Sequence, residues 1–315
     1  MIQKKAEEMI QKAIDAAAYD IYIVPSSKGY RIYFHQLSAR RFLFEELDEA
    51  QGLALLAHFK FLSGMNTGER RRVQLGACWY DLSTGSSRRL RLSTVGDFEA
   101  RESLVIRILH DDQQKLKFWF DDEQSIQKAH YGRGLHLFAG PVGSGKTSLM
   151  IELARRQFSG RQVITIEDPV ELVEPDFIQL QVNEIIGNSY DELIKLSLRH
   201  RPDLLIVGEI RDQKTARAVL RASLTGYTVF STVHARSVAG VWQRLLELGL
   251  SRWELENSLK TVVYQRLIGG KGVVDVAQEK FESWSTIGWN AKLNQLFTNG
   301  SLTADELATE KIESS

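Results

Sequence analysis

The chain has one cysteine, no excess charge of either sign and no long apolar run, and each absence removes a class of protein. A lone Cys78 cannot build an internal disulfide framework or a tetracysteine zinc site, so no zinc is expected. It places the chain most simply in a reducing cytosol, with Cys78 as a buried, inert thiol. The 40 Lys and Arg balance 40 Asp and Glu, which removes the broad electrostatic attraction that holds nucleic acid or anionic membranes non-specifically. No stretch of about 18 apolar residues occurs, so no bilayer span is expected. The first residues mix Lys4, Lys5, Glu7, Glu8, Lys12 and Asp15 among apolar ones, which is not the pattern of a secretion signal. What remains is 315 residues, 43% hydrophobic and 25% charged, the composition of a soluble globular chain of about two domains.

Two grammars follow one another along the chain. Ile2, Ala6, Met9, Ile10, Ala13, Ile14 and Ala17 fall at helical spacing and predict an amphipathic helix that covers a sheet. The segments 20–24 and 30–35 flank a Pro25 to Gly29 turn and read as a hairpin. A helix over 47–63 and alternating stretches at 71–80, 88–93 and 103–109 complete a small α+β domain of residues 1–117. The polar stretch His110 to Lys117 marks the boundary. Beyond it, over 118–315, unbroken apolar runs at 135–139, 163–166, 204–207 and 229–233 each precede a helical pattern, as strands buried on both faces of a parallel sheet require. The fold class is therefore α/β in the second domain. Trp284, Trp289 and Phe297 suggest a small packed, helical extension at the C-terminal end.

Between the first buried run and its helix stands Gly140-Pro141-Val142-Gly143-Ser144-Gly145-Lys146-Thr147, which fills G-x-x-x-x-G-K-[ST] at every position. The glycines let backbone N–H groups curl around a β-phosphate, Lys146 reaches the β and γ oxygens, and the Thr147 hydroxyl ligates Mg²⁺. Two acidic blocks follow strands of the same sheet. Glu209 ends Leu204-Leu205-Ile206-Val207-Gly208-Glu209, a strand with Gly where phosphate-loop proteins usually carry Asp, and Glu167 and Asp168 follow Val163 to Ile166. Strand ends of a parallel sheet open onto one crevice, so two carboxylates are expected there, one holding hydrated Mg²⁺ and one polarising the attacking water. His234 closes another buried strand, placed to sense a γ-phosphate. Phosphoryl transfer also calls for an added cation, and Arg91, Arg101 and Arg107 of the first domain are the candidates. No Asn-Lys-x-Asp guanine reader and no Arg-rich lid occurs, which favours a hydrolase that drives motion.

Four blocks together resemble the ATPases of type II secretion and type IV pili: Gly140 to Ser148 their Walker A, Ile164 to Glu171 their aspartate box, Arg201 to Asp212 their Walker B and Thr225 to His234 their histidine box. The first domain resembles the family's PAS-like domain through Asp20 to Ile23, Glu69-Arg70-Arg71 and the three arginines. The chain has neither the extra N-terminal domain nor the zinc insert of Gram-negative assembly motors. It looks most like the short competence pilus ATPases of Gram-positive bacteria. It also lacks the Ala-Ile-Arg-Asn-Leu signature of retraction motors, although retraction and RecA-like nucleic-acid translocation stay as alternatives.

The resemblance implies a PAS-like domain joined to a RecA-like ATPase domain, in a homo-hexamer that binds ATP between subunits. Such a ring lies in the cytoplasm against the inner face of the membrane and pushes a polytopic platform protein to assemble a pilus for DNA uptake, without direct nucleic-acid contact. It assigns ATP binding to Gly140 through Ser148, and Mg²⁺ to Thr147, Glu209 and Asp168, partly through water. It makes Glu167 the general base, has Glu209 orient metal-bound water, and has His234 couple nucleotide state to domain closure. Arg91, Arg107 and Arg101 become arginine fingers.

Overall fold

In a computed structural model, residues 2–36, 41–109 and 116–312 are described, and they divide into two compact units, 1–113 and 114–315. The polar residues 110–115 lie outside the described residues. In the first unit, helix α1 (Ile2–Asp15) is followed by strands β1 (Ala18–Ser26), β2 (Gly29–Gln36) and β3 (Phe42–Leu47). Helix α2 (Glu49–Leu62) then leads to β4 (Gln74–Asp81), β5 (Ser87–Gly96) and β6 (Glu102–Leu109). The six strands form one antiparallel sheet in the order β3-β2-β1-β6-β5-β4.

α1 buries Ala6, Met9, Ile10 and Ala13, the stripe expected from its spacing, and packs with α2 on one face of the sheet over Ile21, Ile32, Leu92 and Ile106. Asp48 caps α2 by accepting from the Gln51 N–H at 2.7 Å, so Leu47 ends a strand and does not start the helix. The alternation that left one face polar marks this as an antiparallel, one-sided sheet. Cys78 on β4 is only half-buried, not fully buried as expected, and burial still pushes its thiol up to about 11.

The second unit adds α3 (Asp122–Lys128), β7 (Gly134–Ala139), α4 (Lys146–Gln157), β8 (Val163–Glu167), β9 (Ile178–Gln181), α5 (Tyr190–Arg199), β10 (Leu204–Glu209), α6 (Gln213–Leu224) and β11 (Thr228–Val233). It ends with α7 (Val238–Glu247), α8 (Arg252–Ser258), β12 (Leu259–Ile268), β13 (Lys271–Ala277), α9 (Ile287–Thr298) and α10 (Ala304–Glu310). The sheet order is β13-β12-β7-β11-β10-β8-β9, parallel except for β13, a doubly covered RecA-like sheet. Alternate residues of one strand reach different cores. Leu135, Leu137, Leu205 and Val207 pack toward α5, α6 and α7, whereas Phe138, Leu204, Ile206 and Phe230 pack toward α3 and α4. That explains apolar runs without alternation.

The C-terminal residues end in the helices α9 and α10. β13 extends the main sheet, and Trp289, 1% exposed, packs edge-on against the Tyr264 ring of β12 at 4.8 Å. Trp284 donates to Asp275 at 2.8 Å, and Phe297 stays exposed. The second unit also begins a little earlier than residue 118. The Lys117 carbonyl accepts from the Gly272 N–H at 2.7 Å, which ties it to β13.

Candidate active site

β7 is buried along its whole length and delivers the chain into the Gly140 to Gly145 turn, after which α4 begins at Lys146. Gly143 (φ +76°) and Gly145 (φ +81°) take left-handed backbone, which favours glycine. Gly140 is demanded by crowding as well, since a β-carbon there would lie 2.3 Å from the Gln265 carbonyl oxygen. Gly145 is the N-cap of α4, so the turn ends beside helix N–H groups that lack intrahelical acceptors, an arrangement that binds anions. The buried Lys146 ammonium donates across the turn to the Pro141 carbonyl at 2.8 Å. Burial pulls its pKa down, while Glu209 and Glu171 push it back up. Ser144 is buried with its hydroxyl unpartnered; Val142 and Ser148 are exposed.

The carboxylates gather on the same edge. Because β7, β8, β10 and β11 run parallel, their carboxyl ends meet, and Thr147, Glu167, Asp168, Glu209 and Tyr190 line a cleft of about 70 Å³. Glu167 is 5% exposed, and its Oε1 accepts from Thr165 Oγ1 at 2.6 Å and Gln179 Nε2 at 3.1 Å. Burial raises its pKa above the ordinary value, and these hydrogen bonds only partly offset the rise. Asp168 is exposed at the rim.

The glycine in the Walker B strand has a structural reason. The pairing of β10 with β11 shifts between Val207 and Glu209, and the Gly208 carbonyl accepts from Thr232 Oγ1 at 2.7 Å. A β-carbon on Gly208 would lie 3.3 Å from the Ile166 carbonyl, 3.4 Å from Tyr190 Oη and 3.5 Å from Glu167 Cα. Any larger residue would press on the strand that presents Glu167. Asp212, at the end of the same block, is an N-cap: it accepts from the Thr215 N–H at 2.8 Å and starts α6.

His234 joins the loop to the acid. Its Nδ1 stands 3.2 Å from the Gly140 carbonyl and its Nε2 3.0 Å from Glu209 Oε1, so both ring nitrogens face acceptors and a single ring proton satisfies only one. Arg211 Nε holds the other oxygen of Glu209 at 2.8 Å.

The three arginines stand in the first unit and are not alike. Arg91 on β5 lies directly opposite Arg107 on β6. Arg107 forks onto the buried carboxylate of Asp20, Nε to Oδ1 at 2.8 Å and Nη2 to Oδ2 at 3.3 Å. Arg101 sits in the β5–β6 turn, where it pairs with Asp97 at 3.4 Å and Glu99 at 3.2 Å and donates to the Ser26 carbonyl at 3.0 Å. The structure therefore brings Lys146, Thr147, Glu167, Asp168, Glu209 and His234 to one edge of the second sheet, pairs Arg91 with Arg107 on the first, and gives Arg101 local partners of its own.

The profile of the type II/IV secretion system protein family matches residues 1–309, and the chain belongs to that family. It is a P-loop ATPase. The competence protein ComGA of Streptococcus pneumoniae is 53% identical over 314 residues, 99% of each chain. ComGA of Bacillus subtilis is 36% identical over 278 residues, 85% of this chain and 76% of that one. Among solved structures, the pilus retraction motor PilT with bound ADP superposes with a TM-score of 0.75 at 21% identity, over 98% of this chain and 97% of that one. The ATPase DotB of Legionella pneumophila gives 0.72 at 18% identity, over 96% and 94%. At such identities these two structures support the fold alone.

Thr165, Gln179, Tyr190 and Gln265 went unread in the sequence. Thr165 lies inside the aspartate box without a role read for it, Gln179, Tyr190 and Gln265 belong to none of the four blocks, and pairing across strands brings them to the loop and the acids. The one usable signal was polarity inside a buried strand, as at Thr165 and Gln265.

Proposed function

We propose that the chain is a ring motor that hydrolyses ATP to assemble a competence pilus for DNA uptake. The observation that carries this reading is 53% identity to ComGA over 99% of each chain. Six copies form the ring, which works in the cytoplasm on a polytopic membrane platform protein. Among the described residues no helix is long and apolar enough to cross a membrane, so force on a membrane partner has to pass through protein contacts.

Within the site, the glycine turn and Lys146 hold the phosphates. Among the described residues no three His, Cys, Asp or Glu side chains are grouped to hold a metal by themselves. Mg²⁺ that arrives with a triphosphate needs only one or two protein oxygens, and Thr147 with Glu209, assisted by Asp168 through water, fits that demand with oxygen donors alone. When bound, Mg²⁺ neutralises charge on the β and γ oxygens. Glu167, poised by burial to accept a proton, takes it from the attacking water. His234 couples the Gly140 carbonyl to Glu209, so loop geometry and the acid change together and carry nucleotide state to domain closure. Arg91 and Arg107 act as fingers that offset charge on the γ-phosphate. Arg101 has a weaker claim to that role because it sits in the β5–β6 turn, away from the mid-strand pair of Arg91 and Arg107.

Expression of this chain in Streptococcus pneumoniae lacking its own ComGA tests the reading. Restored transformation with pilin on the cell surface supports it. Loss of surface pili on expression in the strain that keeps its own ComGA would point to retraction, and hydrolysis stimulated by DNA in the purified protein would point to a translocase. Light scattering with a non-hydrolysable ATP analogue checks the ring, for which six copies are expected.

A further inference from the structure

One buried group beside the phosphate loop has no part in the chemistry above. Gln265 is 1% exposed, and neither atom of its side-chain amide has a hydrogen-bond partner among the described residues. A primary amide carries two N–H donors and an acceptor oxygen, and buried polar groups are almost always paired, so an unspent amide at this position calls for a function.

Strand register sets its place. β12 pairs with β7 as far as Tyr264 opposite Ala139, where β7 ends, so Gln265, paired with Val274 of β13 on its other side, is the first residue of β12 to face the loop on its β7 side. Its backbone carbonyl lies against Gly140, and its Nε2 lies against Gly145, where a β-carbon would approach to 2.8 Å. Both glycines that bracket the loop are thus fitted to this one residue. Its neighbours Tyr264 and Arg266 line, with Pro141, a separate cavity of about 550 Å³, so β12 abuts the loop there too.

The loop's own groups bond to one another. Lys146 Nζ and the Ser144 N–H both point to the Pro141 carbonyl, at 2.8 and 3.3 Å, and the Ser144 hydroxyl is buried without a partner. A phosphate seated in the loop competes for Lys146 and turns peptide N–H groups toward itself. The loop groups that rearrange in that exchange belong to the segment whose two glycines Gln265 packs against.

We propose that Gln265 is a positioning residue of the nucleotide site, its amide bonding the peptide groups of the phosphate loop when a nucleotide phosphate fills it and standing unpaired when none does. The inference rests on the nucleotide-binding reading above and adds to it a link from loop state to β12.

The test is ADP affinity of wild type and Gln265→Met by calorimetry, with thermal midpoints measured with and without ADP. Met keeps roughly the side-chain volume and removes the amide. One neutral hydrogen bond made only in the bound state corresponds to roughly tenfold in affinity, so Kd should rise by about that factor. The ligand-free midpoint should hold or rise, because an unpaired buried amide has gone. An unchanged Kd with a lowered ligand-free midpoint would make Gln265 purely structural and overturn the proposal. Should the variant not fold, wild type labelled with ¹⁵N-glutamine gives a second reading: the Gln265 side-chain N–H signals should shift and exchange more slowly on addition of ADP. Signals unmoved while ADP binds would overturn the proposal as well. A wild-type protein that binds no ADP at all would overturn the nucleotide reading itself, so the two failures are distinguishable.

Discussion

The two sheets of this chain place their polar chemistry differently. The second sheet is covered on both faces, so its strands are apolar along their length and functional groups emerge at the ends: Gly140 after β7, Glu167 at the end of β8, Glu209 at the end of β10 and His234 after β11. The first sheet is covered by α1 and α2 on one face only, so polar residues stand along the strands, and Arg91 and Arg107 face each other in mid-strand. A strand-end residue in a parallel sheet is positioned by topology. A mid-strand arginine is positioned by its neighbours, and here one of those neighbours is the Asp20 carboxylate.

The contrast can be broken most forcefully at the loop. Lys146→Ala should cut ATP hydrolysis by about a hundredfold or more, from lost charge stabilisation at the phosphates. Its thermal midpoint should stay close to wild type, because the ammonium is held against its own burial. A phosphate-release assay beside a melting curve checks both.

The doubly covered sheet also buries a histidine. His136 on β7 is 1% exposed, bonded to Thr261 Oγ1 and the Gly132 carbonyl, and burial pushes its pKa from 6.5 down to about 4. The folded state thus prefers the neutral ring. Its contribution is present above pH 6.5 and is lost as pH falls toward 4, by about 3 kcal/mol in all. Denaturant melts of wild type and His136→Asn across that window should differ in slope, with the variant flatter.

Arg107→Ala tests the first sheet. It strands the buried Asp20 carboxylate and should cost about 1–2 kcal/mol, kept small because Arg107 is half exposed. Asp20→Asn with Arg107→Ala should recover the midpoint and leave hydrolysis low. Recovery of both would reduce Arg107 to a structural residue. The smallest effect is expected at Cys78, whose thiol is pushed up to about 11 and should resist iodoacetamide at pH 7.5, with hydrolysis nearly unchanged in Cys78→Ala.

The same contrast explains what the sequence made legible. Runs at 135–139, 163–166, 204–207 and 229–233 read directly as β7, β8, β10 and β11, because burial on both faces leaves no alternation to confuse with a helix. β3, β9, β12 and β13 did not read out. β9 has four residues, and β3 and β12 mix polar residues into the run. The aromatic residues after Gly270 suggested a small packed module, and the ring that Trp289 packs against, Tyr264 on β12, is not visible in their spacing. The motif residues were legible through spacing alone. Gln179 and Gln265 were not, since their roles depend on which strands become neighbours, and Thr165 stood in a block that was read only for its acids.

On the proposed reading Glu167, raised in pKa by burial, takes the proton from the attacking water. Single-turnover hydrolysis and ADP affinity of wild type and Glu167→Gln, measured from pH 5 to 8, test it most directly. Wild-type hydrolysis should rise with pH as the buried carboxylate ionises above its ordinary value of 4.5. Glu167→Gln should lose about a hundredfold or more, with ADP affinity nearly unchanged. Glu167→Gln turning over ATP at the wild-type rate, with the same pH profile, would contradict the reading.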